Sequence, residues 1–283
     1  MEEIKKIVAN AVANAEIENN KISEKALQII EESLKTKEGS FLFQVYLRTH
    51  KDGIAEIIGN ETSKGSKYCD DNGVLKNEFK LKNIEVLHIL DSDNAAYYQS
   101  MIVGGNTDYK FAFNIYSYLD LHRRLFYKIY PLFAGQLRDE FIYKSCEPYL
   151  IGRKTPYCLP KYIKENLTNL LREMGQKVFT IKTKEDLVKY LAYYYGELNM
   201  IHPFREGNGR TLRTYYLLLV EELNKHTDFC EFELDYSLWN DEDRDNLLKY
   251  SIYNSVNGDT TGIEMCFDKV VIEIDKKVRT RKI

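Results

Sequence analysis

Ile4, Ile7, Val8, Ala11, Val12 and Ala15 recur at the i, i+3, i+4, i+7 spacing of one buried helix face, so the chain opens on an amphipathic helix. Asn14 and Glu18 continue the edge of that stripe, and a carboxylate on a partner-facing edge needs a counter-charge there. Asn19-Asn20 breaks the helix. Ser23 caps a second helix carrying Ala26, Leu27, Ile30 and Leu34, and residues 35–40, with Gly39, close a helical hairpin of about 35 residues.

Residues 59–73 shift to Gly, Ser, Asn, Asp and Lys, the composition of a loop or linker. Helical patterning resumes over 83–90 and again over 115–130, where His122-Arg123-Arg124 are expected to face outward beside Leu121, Leu125 and Phe126. Residues 139–160 combine the strand-formers Phe141, Tyr143, Tyr149 and Ile151 with Pro148, Gly152 and Pro156, which predicts a short β-hairpin. Pro160 opens a further helix. Thr183 caps the next one, with Asp186 in the capping-box position. The stretch 210–223 is apolar on every side and predicts a central buried helix. The expected fold is therefore mainly α-helical, with a small β-hairpin and an N-terminal helical hairpin. The expected division is 1–50 for the N-terminal helical region, 51–270 for the main domain and 271–283 for a basic tail.

The 283 residues can bury a full core, and 44% hydrophobic with 29% charged residues is the balance of a soluble globular chain. A formal charge of −3 gives no electrostatic case for nucleic acid or an anionic membrane as main partner. Five cysteines, odd in number and without C-x-x-C spacing, argue for reduced thiols rather than a zinc or disulfide framework. Neither a signal peptide nor an apolar run of membrane-spanning length is legible, so a cytoplasmic location is expected.

Candidate chemistry concentrates in His202-Pro203-Phe204-Arg205-Glu206-Gly207-Asn208-Gly209-Arg210-Thr211-Leu212-Arg213. Gly207 and Gly209 flank Asn208 where a loop becomes a helix, which turns backbone N–H groups and a helix N-terminus toward an anion. Arg210 and Arg213 stand at i, i+3 in the first turn, where two cations are unfavourable unless an anion offsets them. Glu206 is placed to hold a divalent cation against the same anion. His202 is the group that can take a proton near neutral pH. Pro203 and Phe204 stiffen and anchor the loop. No G-x-x-x-x-G-K-[ST] loop occurs, which disfavours an ordinary P-loop ATPase.

This run matches every defined position of H-P-F-x-[D/E]-G-N-G-R-x-x-R, and the chain thereby resembles the Fic (Fic/DOC) family. The segments 121–126, 129–131 and 134–138 (Ala134-Gly135-Gln136-Leu137-Arg138) are similar to the upstream part of its core. Tyr68-Cys69-Asp70-Asp71-Asn72-Gly73-Val74-Leu75-Lys76-Asn77 is similar to a lead-in found in many members. The resemblance implies a Fic-type helical core with a β-hairpin flap, and transfer of AMP from ATP to a Tyr, Thr or Ser hydroxyl of a protein target, releasing pyrophosphate. In that reading His202 is the general base and Glu206 holds Mg²⁺ or Mn²⁺. Phe204, Gly207, Asn208, Gly209, Arg210 and Arg213 form the ATP site. Lys144, Ser145 and Cys146 in the flap would meet the target, and Tyr250 and Asn254 would line the adenine. Retention of Gly209 separates the chain from the phosphorylating DOC branch, whereas phosphocholine transfer shares the motif.

Many members of the family carry an inhibitory helix with [S/T]-x-x-x-E-[G/N]. Here Asn14-Ala15-Glu16-Ile17-Glu18-Asn19 fits apart from Asn14, and residues 2–40 are similar to the small antitoxins that accompany Fic toxins. The resemblance implies that Glu18 pairs with Arg213 and holds the enzyme inactive. Removal of AMP with Glu18 orienting water, and nucleotide sensing without catalysis, are the alternatives. Self-modification and a homo-oligomer stay open, and neither nucleic acid nor membrane is expected as a partner.

Overall fold

The structure is a computed structural model that describes residues 2–18, 20–36, 40–49, 65–227 and 230–275. Several expectations lie outside those residues: Asn19 of the inhibitory pattern, the close of the helical hairpin at Gly39, the first part of the 59–73 linker and the tail from 276 onward. Ten helices and four strands follow one another among the described residues, in two compact units.

The first unit comprises Met1–Tyr109, Leu119–Gln136 and Phe204–Arg210. Helix α1 (Glu2–Glu16) forms over the predicted stretch, with Val8, Ala11 and Ala15 of the predicted stripe buried and Asn10, Ala13 and Asn14 buried beside them. Glu18 lies just past it, in a turn closed by Ile17 N–H to Ala13 and Glu18 N–H to Ala15 carbonyls. Ser23 caps α2 (Glu24–Thr36) by accepting the Ala26 N–H at 3.2 Å. A third helix, α3 (Ser40–Thr49), follows and lies beyond the hairpin read from sequence.

Helix α4 (Ile84–Val103) starts where expected, with Asn83 accepting the Glu85 and Val86 N–H groups, but runs thirteen residues past Leu90. Its later turns bury Asp91, Ser92, Asp93, Asn94, Gln99 and Ser100, so no amphipathic stripe survives to mark them. Each of four has a polar partner in the same unit, as buried polar groups require. Asp93 accepts from the Ser23 N–H at 2.7 Å, the Ser23 hydroxyl at 2.8 Å and the Tyr46 hydroxyl. Asn94 donates to the Leu125 carbonyl, Gln99 accepts from Asn14, and Asp91 meets Arg210. This polar face, together with Ala26, Ile30 and Leu34 of α2, holds α1 and α2 against α4.

The second unit comprises Lys110–Tyr118, Leu137–Pro203 and Thr211–Ile283. Helix α5 (Ile115–Phe126) begins in it and ends in the first unit. The expected hairpin forms as β1 (Tyr143–Ser145) and β2 (Lys154–Pro156), antiparallel with Lys144 opposite Thr155. Pro160 opens α6 (Pro160–Lys177). Thr183 and Asp186 form the expected capping box of α7 (Lys184–Ile201). Helix α8 (Asn208–Asn224) buries Thr211–Val220 on all sides. The chain then adds β3 (Cys230–Leu234), α9 (Asp241–Asn257), α10 (Thr261–Val270) and β4 (Val271–Asp275).

Strand β4 corrects the tail boundary. Residues 271–275, expected in a basic tail, pair antiparallel with β3, Leu234 opposite Val271. Val271, Ile272 and Ile274 supply the β-branched residues that favour a strand. No described helix is long and apolar enough to cross a membrane.

Candidate active site

The run 202–213 is covalently continuous, and its residues belong to both units: Phe204–Arg210 to the first, His202, Pro203 and Arg213 to the second. Each half is built by its own surroundings.

In the first unit, Asn208 begins α8 and its side chain closes the preceding loop. Its Oδ1 accepts the Phe204 N–H at 2.9 Å and its Nδ2 donates to the Phe204 carbonyl at 2.8 Å. Gly207 is required twice over. Its φ is +74°, and a Cβ there would stand 2.4 Å from Cζ of Phe126. Its N–H donates to Glu206 Oε1 at 2.9 Å.

His122 sits beneath this loop, not on the outer face expected for it, and is 1% exposed. Gly135 N–H donates to its Nδ1 at 2.7 Å, so the ring's proton is on Nε2, which donates to the Glu206 carbonyl at 2.9 Å. The ring stacks on Phe204 with centroids 3.7 Å apart. Burial above all, with the nearby Arg210 charge adding to it, pushes the imidazole down to about 3 against the Glu206 carbonyl bond. The outward expectation failed because partners 13 and 84 positions away decide which way His122 turns. The side chains of Arg123 and Arg124 do reach Asp120 at the surface, Arg124 also Asp108.

Arg210 is 3% exposed and is met by three carboxylates. Its Nε lies 3.0 Å from Glu18, and its Nη2 lies 2.9 Å from Asp91 and 3.3 Å from Glu206. Its guanidinium also covers the Phe126 ring at 4.8 Å. Burial works against its charge, but Asp91, then Glu18 and Glu206, hold it firmly protonated. Asp91 is fully buried, and its carboxyl is raised by that burial despite Arg210. Asn14 reaches the same turn, its Nδ2 lying 3.3 Å from the Arg210 carbonyl while it also donates to Gln99. Glu18 therefore pairs, within this unit, with the first arginine of the motif; the partner expected for it, Arg213, belongs to the second unit. Asp91 escaped the sequence reading because nothing local marks it.

In the second unit, α7 delivers His202 at its C-cap in the left-handed region, φ 45° and ψ 63°. Such a conformation costs a residue with a Cβ about 1 kcal/mol or more. His202 Nδ1 lies 3.3 Å from the Asn199 carbonyl, which only accepts, so Nδ1 bears the proton in that contact and Nε2 is the acceptor of the neutral ring. Tyr157, just past β2, stacks on the imidazole with centroids 3.8 Å apart and planes 14° off parallel. Arg138 is buried below it and donates Nε to the His202 carbonyl at 2.7 Å. Arg213 is buried with Nη1 3.4 Å from the Tyr195 hydroxyl, and its carbonyl accepts from Tyr236.

The hairpin carries Lys144 and Ser145 in β1; their side chains lie outside the description, while Cys146 is buried against Thr155 at 3.3 Å. Tyr250 and Asn254 lie on α9. A Cβ on Gly262 would stand 2.2 Å from the Tyr250 ring, and one on Gly196 would stand 2.3 Å from the Asn254 amide oxygen. Among the described residues, no group of three or more His, Cys, Asp and Glu could hold a metal ion by itself.

The loop that leads into α8, with a histidine just before it in the chain, is the candidate site, and comparison with known proteins gives its family. The Fic/DOC family model matches residues 112–220. A probable protein adenylyltransferase Fic of Escherichia coli is 30% identical over 154 residues, 54% of this chain and 67% of that protein. The protein adenylyltransferase VbhT of Bartonella schoenbuchensis is 30% identical over 59% of this chain but only 33% of its own length. Among solved structures, the BepC protein of Bartonella tribocorum with bound AMPPNP aligns at a TM-score of 0.60 and 19% identity, over 72% of this chain and 96% of that one. The N-terminal Fic domain of a Bartonella quintana effector with bound ADP aligns at 0.60 and 20%, over 78% and 99%. The chain belongs to the Fic/DOC family.

Proposed function

We propose that this chain is an autoinhibited protein adenylyltransferase that moves AMP from ATP to a hydroxyl of a protein target. The observation that carries the reading is the approach of Glu18 to Arg210 at 3.0 Å, at the N-terminus of α8 and beside the Gly207-Asn208-Gly209 loop. A guanidinium there is suited to phosphate oxygens, and a carboxylate from α1's end takes one of its edges. The names of the relatives supply the reaction, and retention of Gly209 agrees with nucleotidyl transfer.

In the proposed reaction the target hydroxyl oxygen forms a bond to the α-phosphorus as the bond from that phosphorus to the β-phosphate oxygen breaks. Pyrophosphate leaves, and the hydroxyl proton passes to Nε2 of His202. A ring that donates through Nδ1 to Asn199 keeps Nε2 ready for it. The loop N–H groups with Arg210 and Arg213 neutralise the phosphates, the part that carries most phosphoryl-type catalysis. Glu206 suits a divalent cation: its side chain is 36% exposed, a hard oxygen donor to which substrate phosphates can add the remaining ligands. Bound Mg²⁺ would neutralise phosphate charge beside Glu206. The β1–β2 hairpin would pair with the target backbone as an added strand, with Lys144, Ser145 and Cys146 at that edge. Tyr250 and Asn254 remain the candidates for the adenine.

Inhibition follows from competition for arginine. Glu18 on Arg210, and in the family pattern on Arg213, denies the terminal phosphates their partners and leaves ATP misplaced for in-line attack, where small errors cost large factors in rate. The test is labelling from α-labelled ATP. Glu18→Gly is expected to raise incorporation into protein well above wild type, and His202→Ala in that background to abolish it. Equal labelling with and without Glu18 would remove the inhibitory role, and labelling that survives loss of His202 would remove the base.

A further inference from the structure

Arg138 belongs to the Ala134–Arg138 segment noted in the sequence, and no catalytic part has been assigned to it. It is 2% exposed. Its guanidinium donates to four backbone carbonyls: Nε to His202 at 2.7 Å, Nη1 to Glu140 at 2.7 Å, Nη2 to Cys158 at 2.6 Å and to Ile201 at 3.3 Å. Its own backbone N–H donates to the Pro203 carbonyl at 2.8 Å.

These contacts have a particular geometry. The Ile201 carbonyl belongs to the peptide plane before the His202 Cα, and the His202 carbonyl to the plane after it. Orientation of those two planes is what φ and ψ of His202 describe. One guanidinium bonded to both therefore sets the backbone of the base, which sits at φ 45°, a region that a residue with a Cβ seldom adopts. The carbonyls are also the ones that α7 leaves without helical partners at its C-terminus, where a cation is favourable. Tyr157 then lies flat on the imidazole and limits its rotation. Glu140 and Cys158 are the stems of the β1–β2 hairpin, so the same group ties the base to the segment that would present the target.

We propose that Arg138 and Tyr157 are positioning residues for the base: Arg138 imposes the left-handed backbone of His202 through the carbonyls on either side of it, and Tyr157 holds the ring plane. The proposal rests on the transferase reading only for its kinetic test. Lysine offers a single point of donation and cannot span four carbonyls, so it does not replace the fork.

The experiment uses the full chain in the Glu18→Gly background with Arg138→Gln, Arg138→Lys, Tyr157→Phe and Tyr157→Ala. For both Arg138 variants kcat for AMP transfer is expected to fall about 100-fold, the scale of a misplaced reacting group. KM for ATP should stay within about twofold, because the nucleotide contacts lie in other residues. Tyr157→Phe should retain near-parental kcat and Tyr157→Ala should lose about tenfold, the ring face being what matters. A second readout needs no activity: ¹⁵N–¹H spectra of the His202 ring, assigned by its loss in His202→Gln, report the tautomer. The parent should show the Nδ1–H form, and the Arg138 variants a mixture. Should Arg138→Gln not fold, Arg138→Lys and the Tyr157 pair decide. The proposal is overturned by an Arg138 variant with parental kcat and an unchanged His202 spectrum, or by losses that only follow thermal stability. If the parent itself transfers no AMP, the transferase reading fails while the spectra still judge Arg138.

Discussion

His122 is a sealed histidine under the anion loop, and acid should open it. Its pKa is pushed down to about 3, chiefly by burial, from an unfolded value of about 6.5. Because the folded pKa of this base is the lower one, the unfolded chain binds more protons between those limits, and stability rises with pH through that window. The contribution is complete above about pH 6.5 and drains away as pH falls toward 3, by up to roughly 5 kcal/mol at about 1.4 kcal/mol per pH unit. Between about pH 7 and pH 5 the loss should be about 2 kcal/mol, a large share of the total stability of an ordinary domain. The physical event is that a protonated Nδ1 can no longer accept the Gly135 N–H. His122→Gln keeps a donor and an acceptor but has no proton to gain. Urea unfolding followed by circular dichroism at pH values from 7 to 4 should show wild type losing about 2 kcal/mol more than the variant by pH 5. Carboxylates titrate alike in both and cancel. Parallel losses would refute the reasoning, as would an NMR titration of His122 in the wild-type chain with a midpoint near its ordinary value.

Asn14→Ala should weaken the N-terminal restraint by removing the buried Asn14–Gln99 hydrogen bond, at about 1 kcal/mol. Label incorporation from ATP should rise severalfold, less than for Glu18→Gly, and Asn14→Ser should stay nearer wild type. Gly207→Ala places a Cβ 2.4 Å from Phe126 at a positive φ, so thermal stability should fall by the equivalent of about 3 kcal/mol and transfer should be lost. Chelation of divalent cations should take transfer to background without lowering the melting temperature, and Mg²⁺ or Mn²⁺ should restore it; activity in excess chelator would remove the role given to Glu206.

The local structure of the candidate run 202–213 was legible because its determinants are local. A loop entering a helix, a glycine that φ requires, and Asn208 bonding back four residues to Phe204 all lie within reach of one another along the chain. The same holds for the Thr183–Asp186 capping box, the β1–β2 hairpin and the first amphipathic helix. Helix α4 shows where such reading stops. Its hydrophobic pattern disappears after Leu90 because six buried polar residues interrupt it, and Asp91, Asp93, Asn94 and Gln99 among them find partners far off in sequence.

Sequence by itself marked the candidate residues for handling phosphate and taking a proton, and the helix that ends just before Glu18. Tertiary structure decided how each is held. It turned His122 inward under Glu206, gathered Glu18, Asp91 and Glu206 around Arg210, and set the backbone of His202 through an arginine 64 positions away. The reason is physical: spacing along a chain sets which groups share a turn or a face, whereas the partner that satisfies a buried charge or carbonyl is chosen only when distant segments meet.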